Sequence, residues 1–156
     1  EILIQRVKTF SDDAIPSGNA IAAYALNRLG QLSANTHYID AAERCLKSAW
    51  TSIEHTPVAN CALLTALNEF LNPPDTLIIR HQVQSSDDWP TLAAMQNLPF
   101  TQVFSIAADT EIHPTLKDKA ASNSNLAYLC AGTKCYEPMK TTAELESYLR
   151  NNSYRV

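Results

Sequence analysis

The spacing of the apolar residues changes at Asn72-Pro73-Pro74, and this change constrains the fold more than any other feature of the sequence. Before the proline pair, apolar residues recur every three or four positions, which is the period of an α-helix. After it, short runs rich in β-branched residues alternate with helical segments, as in a mixed α/β domain. Proline lacks the backbone N–H and does not continue a helix. The sequence therefore predicts an all-α part over residues 1–72 and a separate, small α/β part over residues 73–156.

The all-α part is predicted to contain three helices joined by short links. The first begins at Gly18 and ends in the stretch after Gly30, at about Leu32. The second carries the clearest amphipathic stripe, from Tyr38 to Ile53. Thr56-Pro57, a hydroxyl followed by proline, is a typical helix start, so the third helix is expected to begin there and to end at Asn72. Such helices form a hairpin with a third helix turned back on it.

The α/β part is predicted to contain three strands, over 76–80, 102–107 and 126–130. A helix from Trp89 to Leu98 separates the first two strands, and strand, helix, strand over about thirty residues is a βαβ unit. The first two strands are therefore expected to pair in parallel through a right-handed crossover, and the three strands to form a parallel or mixed sheet. A final helix over 142–149 is expected after a capping Thr141 or Thr142. The predicted fold class is therefore α/β, with an N-terminal helical segment followed by a small α/β domain.

Charge and composition exclude several classes of function. The 156 residues carry 12 Lys and Arg against 16 Asp and Glu, without a basic run, which argues against nucleic acid and anionic membranes as partners. No apolar stretch approaches the roughly 20 residues that span a bilayer. The chain has only three glycines, which excludes a glycine-rich phosphate loop. Its four histidines lack the spacing of a helical metal pair, and no Cys-x-x-Cys occurs, so neither a metal nor another cofactor is expected.

A polar turn over residues 12–19 runs directly into the first helix and is the best candidate for a site. Asp12, Ser17 and Asn19 supply short polar side chains, and a proline and a glycine shape the backbone between them. The same residue types are typical of an ordinary N-cap, in which one short acceptor satisfies the first helical N–H groups. The alternative is a ligand site, since the turn offers more polar groups than a cap requires. The residues alone leave both interpretations open.

The four cysteines form two pairs with different expectations. Cys45 and Cys61 are predicted to lie on antiparallel helices at different levels, and to be buried small apolar residues that do not bridge. Cys130 and Cys135 flank a short segment in which Gly132 allows a left-handed turn, so their sulfur atoms can meet. Two reduced thiols on either side of a turn are an equally good interpretation of this second pair.

Two groups of residues, one near each end of the chain, resemble a known family. The first group is Arg6, Lys8, Asp12, Pro16-Ser17-Gly18-Asn19 and Pro57. The second is Cys130-Ala131-Gly132-Thr133-Lys134-Cys135, Pro138, Glu144 and Leu145. In this combination the chain resembles the C-terminal part of the YyaL-type family, also called the spermatogenesis-associated thioredoxin-domain proteins. Val7, Thr9 and Arg80-His81 depart from the family pattern.

The resemblance implies a larger parent protein. Members of the family have an N-terminal thioredoxin-like domain, a long helical toroid similar to that of sugar epimerases and some glycosidases, and a small α/β piece at the end. The chain is thus expected to be a C-terminal fragment whose helices form one sector of an α/α toroid. Its expected partners are the missing N-terminal thioredoxin-like and toroid segments, and a cytoplasmic location is expected.

Two functions follow from the resemblance. In the first, the toroid sector contributes part of a pocket for a carbohydrate-like ligand. The binding residues would then be Arg6, Asp12, Ser17 and Asn19. In the second, the chain is a structural and interaction module that supports the redox or folding-related work of the thioredoxin-like domain, with Cys130 and Cys135 as a redox or disulfide pair. The fragment alone is not expected to be an enzyme, because its helices supply only part of a pocket wall.

Overall fold

The structure, a computed structural model, describes residues 9–96, 98, 100–132 and 134–153. The chain divides between Asn72 and Pro73 into two compact units, a helical unit and an α/β unit. This boundary lies where the apolar period of the sequence changes. Each unit has its own cluster of buried apolar side chains.

The helical unit contains α1 (Gly18–Ser33), α2 (Thr36–His55), a 3₁₀ helix (Pro57–Asn60) and α3 (Cys61–Leu71). The prediction of one continuous third helix from Thr56-Pro57 is therefore corrected, since the α-helix begins only at Cys61. The buried amide of Asn60 donates to the carbonyl oxygens of Ser52 and Thr56, at 3.1 and 2.8 Å. These bonds tie the tight 3₁₀ segment to the end of α2.

Helices α1 and α2 form a hairpin with a two-residue link. Ala34 takes the left-handed conformation with φ 50°, and Asn35 caps α2 by accepting from the His37 N–H at 3.0 Å. Gly30 permits the close approach of the two helices, because a Cβ at this position would lie 2.6 Å from Cγ1 of Ile39. The glycine thus marks a helix contact, and α1 continues beyond it to Ser33.

Small side chains let the three helices pack closely. The buried cluster of the helical unit consists mainly of alanines with a few larger residues: Ala20, Ala23, Leu46, Ala49, Ile53, Leu63 and Ala66. Beside this cluster, Nε and Nη2 of Arg28 donate to the two carboxylate oxygens of Glu69, each at 2.8 Å. This two-pronged ion pair joins α1 to α3 with a fixed geometry.

The α/β unit is a four-stranded sheet with two helices. Its elements are β1 (Asp75–His81), α4 (Trp89–Ala94), β2 (Thr101–Ala107), a 3₁₀ helix (Pro114–Leu116), β3 (Leu126–Ala131), β4 (Lys134–Cys135) and α5 (Thr142–Asn152). The strand order is β2-β1-β3-β4, with β1 parallel to β2 and antiparallel to β3. The predicted βαβ unit and the mixed α/β class are confirmed. Strand β4 has two residues and leaves no periodic signal in the sequence.

Helix α4 ends at Ala94, four residues before the predicted end at Leu98. After it, the chain turns into β2, and the Thr101 N–H donates to the Leu98 carbonyl oxygen at 3.2 Å. Residue 99 is proline, and the residue before a proline is disfavoured in the helical conformation. The helical spacing of apolar residues in the sequence therefore continues to Leu98, although the α-helix itself ends at Ala94.

The two faces of the sheet have different surroundings. Leu77 and Ile79 of β1 lie on the face covered by α4 and α5, where they share a core with Trp89, Ala93, Ala127, Leu145 and Leu149. Ile78 and Arg80 alternate with them and therefore lie on the opposite face, where they are 2% and 3% exposed. Strand β1 is thus buried on both faces, as expected for a central strand.

Two buried asparagines of the helical unit provide a matched test of hydrogen bonding in its core. Asn27 is 1% exposed, and its amide nitrogen and oxygen have no hydrogen-bond partner among the described residues. Asn60 is 0% exposed and fully bonded. Because an unsatisfied buried amide costs about 1–3 kcal/mol, Asn27→Leu is expected to raise the free energy of unfolding by about 1 kcal/mol. Asn60→Leu is expected to lower it by about 2 kcal/mol.

Urea denaturation followed by circular dichroism measures both changes against the wild-type protein. A loss of stability in Asn27→Leu as large as that in Asn60→Leu would contradict the prediction.

Candidate functional site

The carboxylate of Asp12 joins two helix starts. Its Oδ1 accepts from the Ser17 N–H at 2.9 Å, and its Oδ2 accepts from the Ala62 N–H at 2.8 Å. The Asp12 N–H in turn donates to the carbonyl oxygen of Ala59 at 2.7 Å. The bond to the Ala62 N–H, followed by the bond to the Ser17 N–H, holds the pKa of the Asp12 carboxyl below its ordinary value.

Ser17 and Asn19 are also bonded within the chain. Ser17 is the N-cap of α1, and its hydroxyl oxygen accepts from the Ala20 N–H at 3.3 Å. The Asn19 amide nitrogen donates to the Thr9 carbonyl oxygen at 2.7 Å. The Cys45 thiol donates to the Asn19 carbonyl oxygen at 3.2 Å. Asn19 therefore connects the segment before the turn to α1 and α2.

Among the described residues, Asp12, Ser17 and Asn19 are used in bonds within the chain, while their role as ligand-binding residues stays a prediction. Asp12 is needed at the start of α3, where the side chain of Asn60 makes no capping bond because its amide oxygen accepts from the Ser52 hydroxyl at 3.2 Å. The first N–H groups of α3 need another acceptor. Asp12 supplies it from 50 positions earlier in the chain. Arg6, the fourth predicted ligand-binding residue, lies outside the described residues.

Cys130 and Cys135 form a disulfide that closes the β3–β4 hairpin. The two residues are cross-strand partners, with their Cα atoms 4.0 Å apart. Gly132, with φ 57°, provides the left-handed position in the connection. Cys135 is exposed and Cys130 is half-buried, so a thiol from solution can reach the bridge from the Cys135 side.

Cys45 and Cys61 do not take part in a disulfide, and their surroundings differ. Cys45 is half-buried beside Asn19. Cys61 is exposed at the first position of α3, and its thiol donates to the Val58 carbonyl oxygen at 3.2 Å. The prediction that both are buried apolar residues is therefore wrong for Cys61, because the 3₁₀ segment turns this first position toward solvent.

A polar depression of about 640 Å³ opens at the carboxyl end of β1, and sequence reasoning did not find it. Open α/β sheets commonly bind ligands at this end of their strands. Here, the side chain of Asn125 accepts from the Gln82 N–H and donates to Ser85 Oγ and the Asp87 carbonyl oxygen. The wall of the depression is thus a polar network whose members largely satisfy one another.

Neither a metal site nor a membrane span is found in the described part of the chain. Within residues 9–153, apart from the undescribed positions, no three His, Cys, Asp or Glu side chains are grouped as metal ligands would be. The helices in the same residues lack the combined length and apolarity that crossing a membrane requires.

Substitution of Asp12 tests its role as a shared cap. Asp12→Asn is expected to lower the thermal midpoint, because the amide nitrogen would face one of the two N–H donors. The folded pKa of Asp12 lies below the unfolded pKa, so its stabilising contribution is complete above about pH 4 and is lost as the pH falls through the folded value. The difference between wild type and Asp12→Asn is therefore expected to be largest at neutral pH and to shrink in acid.

Thermal melts between about pH 2 and pH 7 measure this difference. Asp13→Asn is the matched control, since Asp13 is exposed and a surface substitution changes stability little. Equal effects of the two substitutions, or a difference that does not vary with pH, would rule out the shared cap.

Thiol counting tests the disulfide. Without reductant, the denatured protein is expected to react at two cysteines, Cys45 and Cys61, and after reduction at all four. A bridge over so short a loop is expected to stabilise the α/β unit by only about 2 kcal/mol in the chain-entropy picture, so the Cys130→Ser, Cys135→Ser double variant still folds. Four reactive thiols under oxidising conditions would show that the bridge is absent.

Comparison with protein-family models, with curated proteins and with solved structures gave no match. The resemblance to the YyaL-type family therefore rests only on the residues quoted for it above.

Proposed function

We propose that this chain is a structural and interaction module, whose helical unit completes a larger helical assembly through the outer face of α1. The observation that carries the proposal is that α1 has an exposed apolar face opposite the face it buries. Its buried face consists of Ala20, Ala23, Asn27 and Gly30. Its outer face consists of Ile21, Ala22, Ala25 and Leu29, all exposed.

The outer face of α1 is a continuous apolar strip. At 100° per residue, its four side chains fall within a sector of about 100° on the side opposite the buried face. Ile21 and Leu29, at its two ends, are 53% and 45% exposed. An exposed apolar patch of this kind marks an interaction surface.

Helix α2 of the same unit provides the contrast. Most of its exposed positions carry charged or polar side chains, and Lys47 pairs with Glu43 at 2.8 Å along the helix. Its two large exposed aromatic side chains, Tyr38 and Trp50, are 37% and 51% exposed and lie far apart along the helix. Single exposed apolar side chains are normal on a protein surface, whereas α1 groups its exposed apolar side chains in one strip.

The proposed occupant of the α1 outer face is an amphipathic helix from the preceding toroid segments that the family resemblance implies. The two alanines of this outer face, Ala22 and Ala25, leave room for a helix at an interaxial distance of about 8–10 Å. The alternative of a carbohydrate pocket at the turn has less support, because Asp12, Ser17 and Asn19 are used in bonds within the chain.

The α/β unit contributes the exposed Cys130–Cys135 bridge to this proposal. A dithiol of a thioredoxin-like domain reduces a disulfide by attack of its thiolate on one sulfur atom. Exposure of Cys135 makes this sulfur the accessible one. The bridge is thus a contact point for the redox work of the proposed partner domain.

Introducing a charge on the outer face of α1 tests the proposal. Ala25→Glu is expected to change the stability of the isolated 156-residue chain by no more than about 0.5 kcal/mol, because the position is exposed. In the full-length parent protein, the same carboxylate would be buried without a partner and is expected to cost about 3 kcal/mol or more. Thermal unfolding of both proteins measures the difference.

Ser48→Glu is the matched control, since Ser48 is exposed on α2. It is expected to be neutral in both the isolated chain and the parent protein. If Ala25→Glu destabilises the parent no more than Ser48→Glu does, the outer face of α1 is not an interface and the proposed function is wrong.

A further inference from the structure

Arg80 is a buried cation on β1, a central strand of the sheet in the α/β unit. It lies near the end of β1, on the face opposite to α4 and α5, and is 3% exposed. Its backbone is paired on both sides, with Ile106 of β2 and Leu126 of β3. Charged side chains are rarely buried to this degree unless they are paired with an opposite charge.

The hydrogen bonds of Arg80 use only part of its guanidinium group. Nη2 donates to the carbonyl oxygens of Ala108 and Thr110, at 3.2 and 3.3 Å. Nε and Nη1 are buried and have no partner among the described residues. Of the five N–H donors of a guanidinium, three therefore remain without an acceptor.

No carboxylate is paired with Arg80 among the described residues. Tyr128 lies on the same face of the sheet, where the positive charge of Arg80 opposes the rise that burial causes in the Tyr128 pKa. The Lys119 ammonium lies 5.6 Å from the centre of the Tyr128 ring. Asp109 and Asp118 are exposed, and among the described residues neither forms an ion pair with Arg80 or Lys119.

We propose that Arg80 is the anchor of an oxyanion site beneath the segment Ala108–Thr110, with Nε and Nη1 donating to a carboxylate or phosphate oxygen. A guanidinium recognises both anions through its N–H donors, and burial strengthens the interaction. Only Nη2 of Arg80 bonds to this segment, through the carbonyl oxygens of Ala108 and Thr110. The residues Asp109 and Thr110 are themselves exposed to solvent. Displacement of this segment opens the site to the anion. This site is independent of the proposed interface on α1.

The wild-type protein tests the site directly by nuclear magnetic resonance of the arginine Nε–H groups. The Arg80 signal, assigned by its loss in Arg80→Lys, is expected to shift in a saturable manner with inorganic phosphate or with acetate, but not with sodium chloride of equal ionic strength. Arg44, which is exposed, is the internal control. The phosphate and acetate arms distinguish a phosphate ligand from a carboxylate ligand.

Thermal unfolding with Arg80→Met provides the second measurement. At about ten times the dissociation constant, the effective anion is expected to raise the wild-type midpoint by about 5 °C. The rise should be lost in Arg80→Met and kept in Arg44→Gln. If neither anion shifts the Arg80 signal, or if the rise persists in Arg80→Met, there is no oxyanion site at Arg80. If Arg80→Met does not fold, the measurement on the wild-type protein still decides the question.

Discussion

The carboxylate of Asp12 holds the start of the helical unit together. Helix α3 begins without a capping side chain of its own, because the Asn60 amide oxygen accepts from the Ser52 hydroxyl near the end of α2. Asp12 replaces that cap and at the same time fixes the backbone at Ser17, which caps α1. One carboxylate thus places the starts of two helices relative to each other. The turn over residues 12–19 has more polar side chains than one helix cap requires. In the fold, Asp12 serves two helix starts.

Local patterns in the sequence were sufficient for most of the fold. The three-and-four spacing of apolar residues located α1 and α2, runs with β-branched residues located β1 and β2, and a short apolar run located β3. The start of α1 at Gly18 followed from the turn before it. These features could be predicted because each depends on neighbours within a few positions along the chain.

The features that could not be predicted depend on distant contacts. The bond from Asp12 to Ala62 spans 50 positions, and no local pattern at either residue indicates it. Arg80 ends an apolar run, and only the assembled sheet shows that its guanidinium is covered on the second face. The exposure of Cys61 depends on the 3₁₀ segment before it. In each case the deciding partner belongs to another element, so the candidate site was the least predictable part of the molecule.

The two-residue link between α1 and α2 has a consequence for the order in which the helical unit folds. A hairpin with so short a connection closes at little entropic cost, and its contacts are near in sequence. Synthesis proceeds from the N-terminus, so both helices are complete before the residues of α3 leave the ribosome. We expect the α1–α2 hairpin to form first. Until α3 folds, Oδ2 of Asp12 is then bonded to water instead of to the Ala62 N–H. The bond between the Ala62 N–H and Asp12 is then the last of these contacts to form, and it fixes α3 against a hairpin that has already folded.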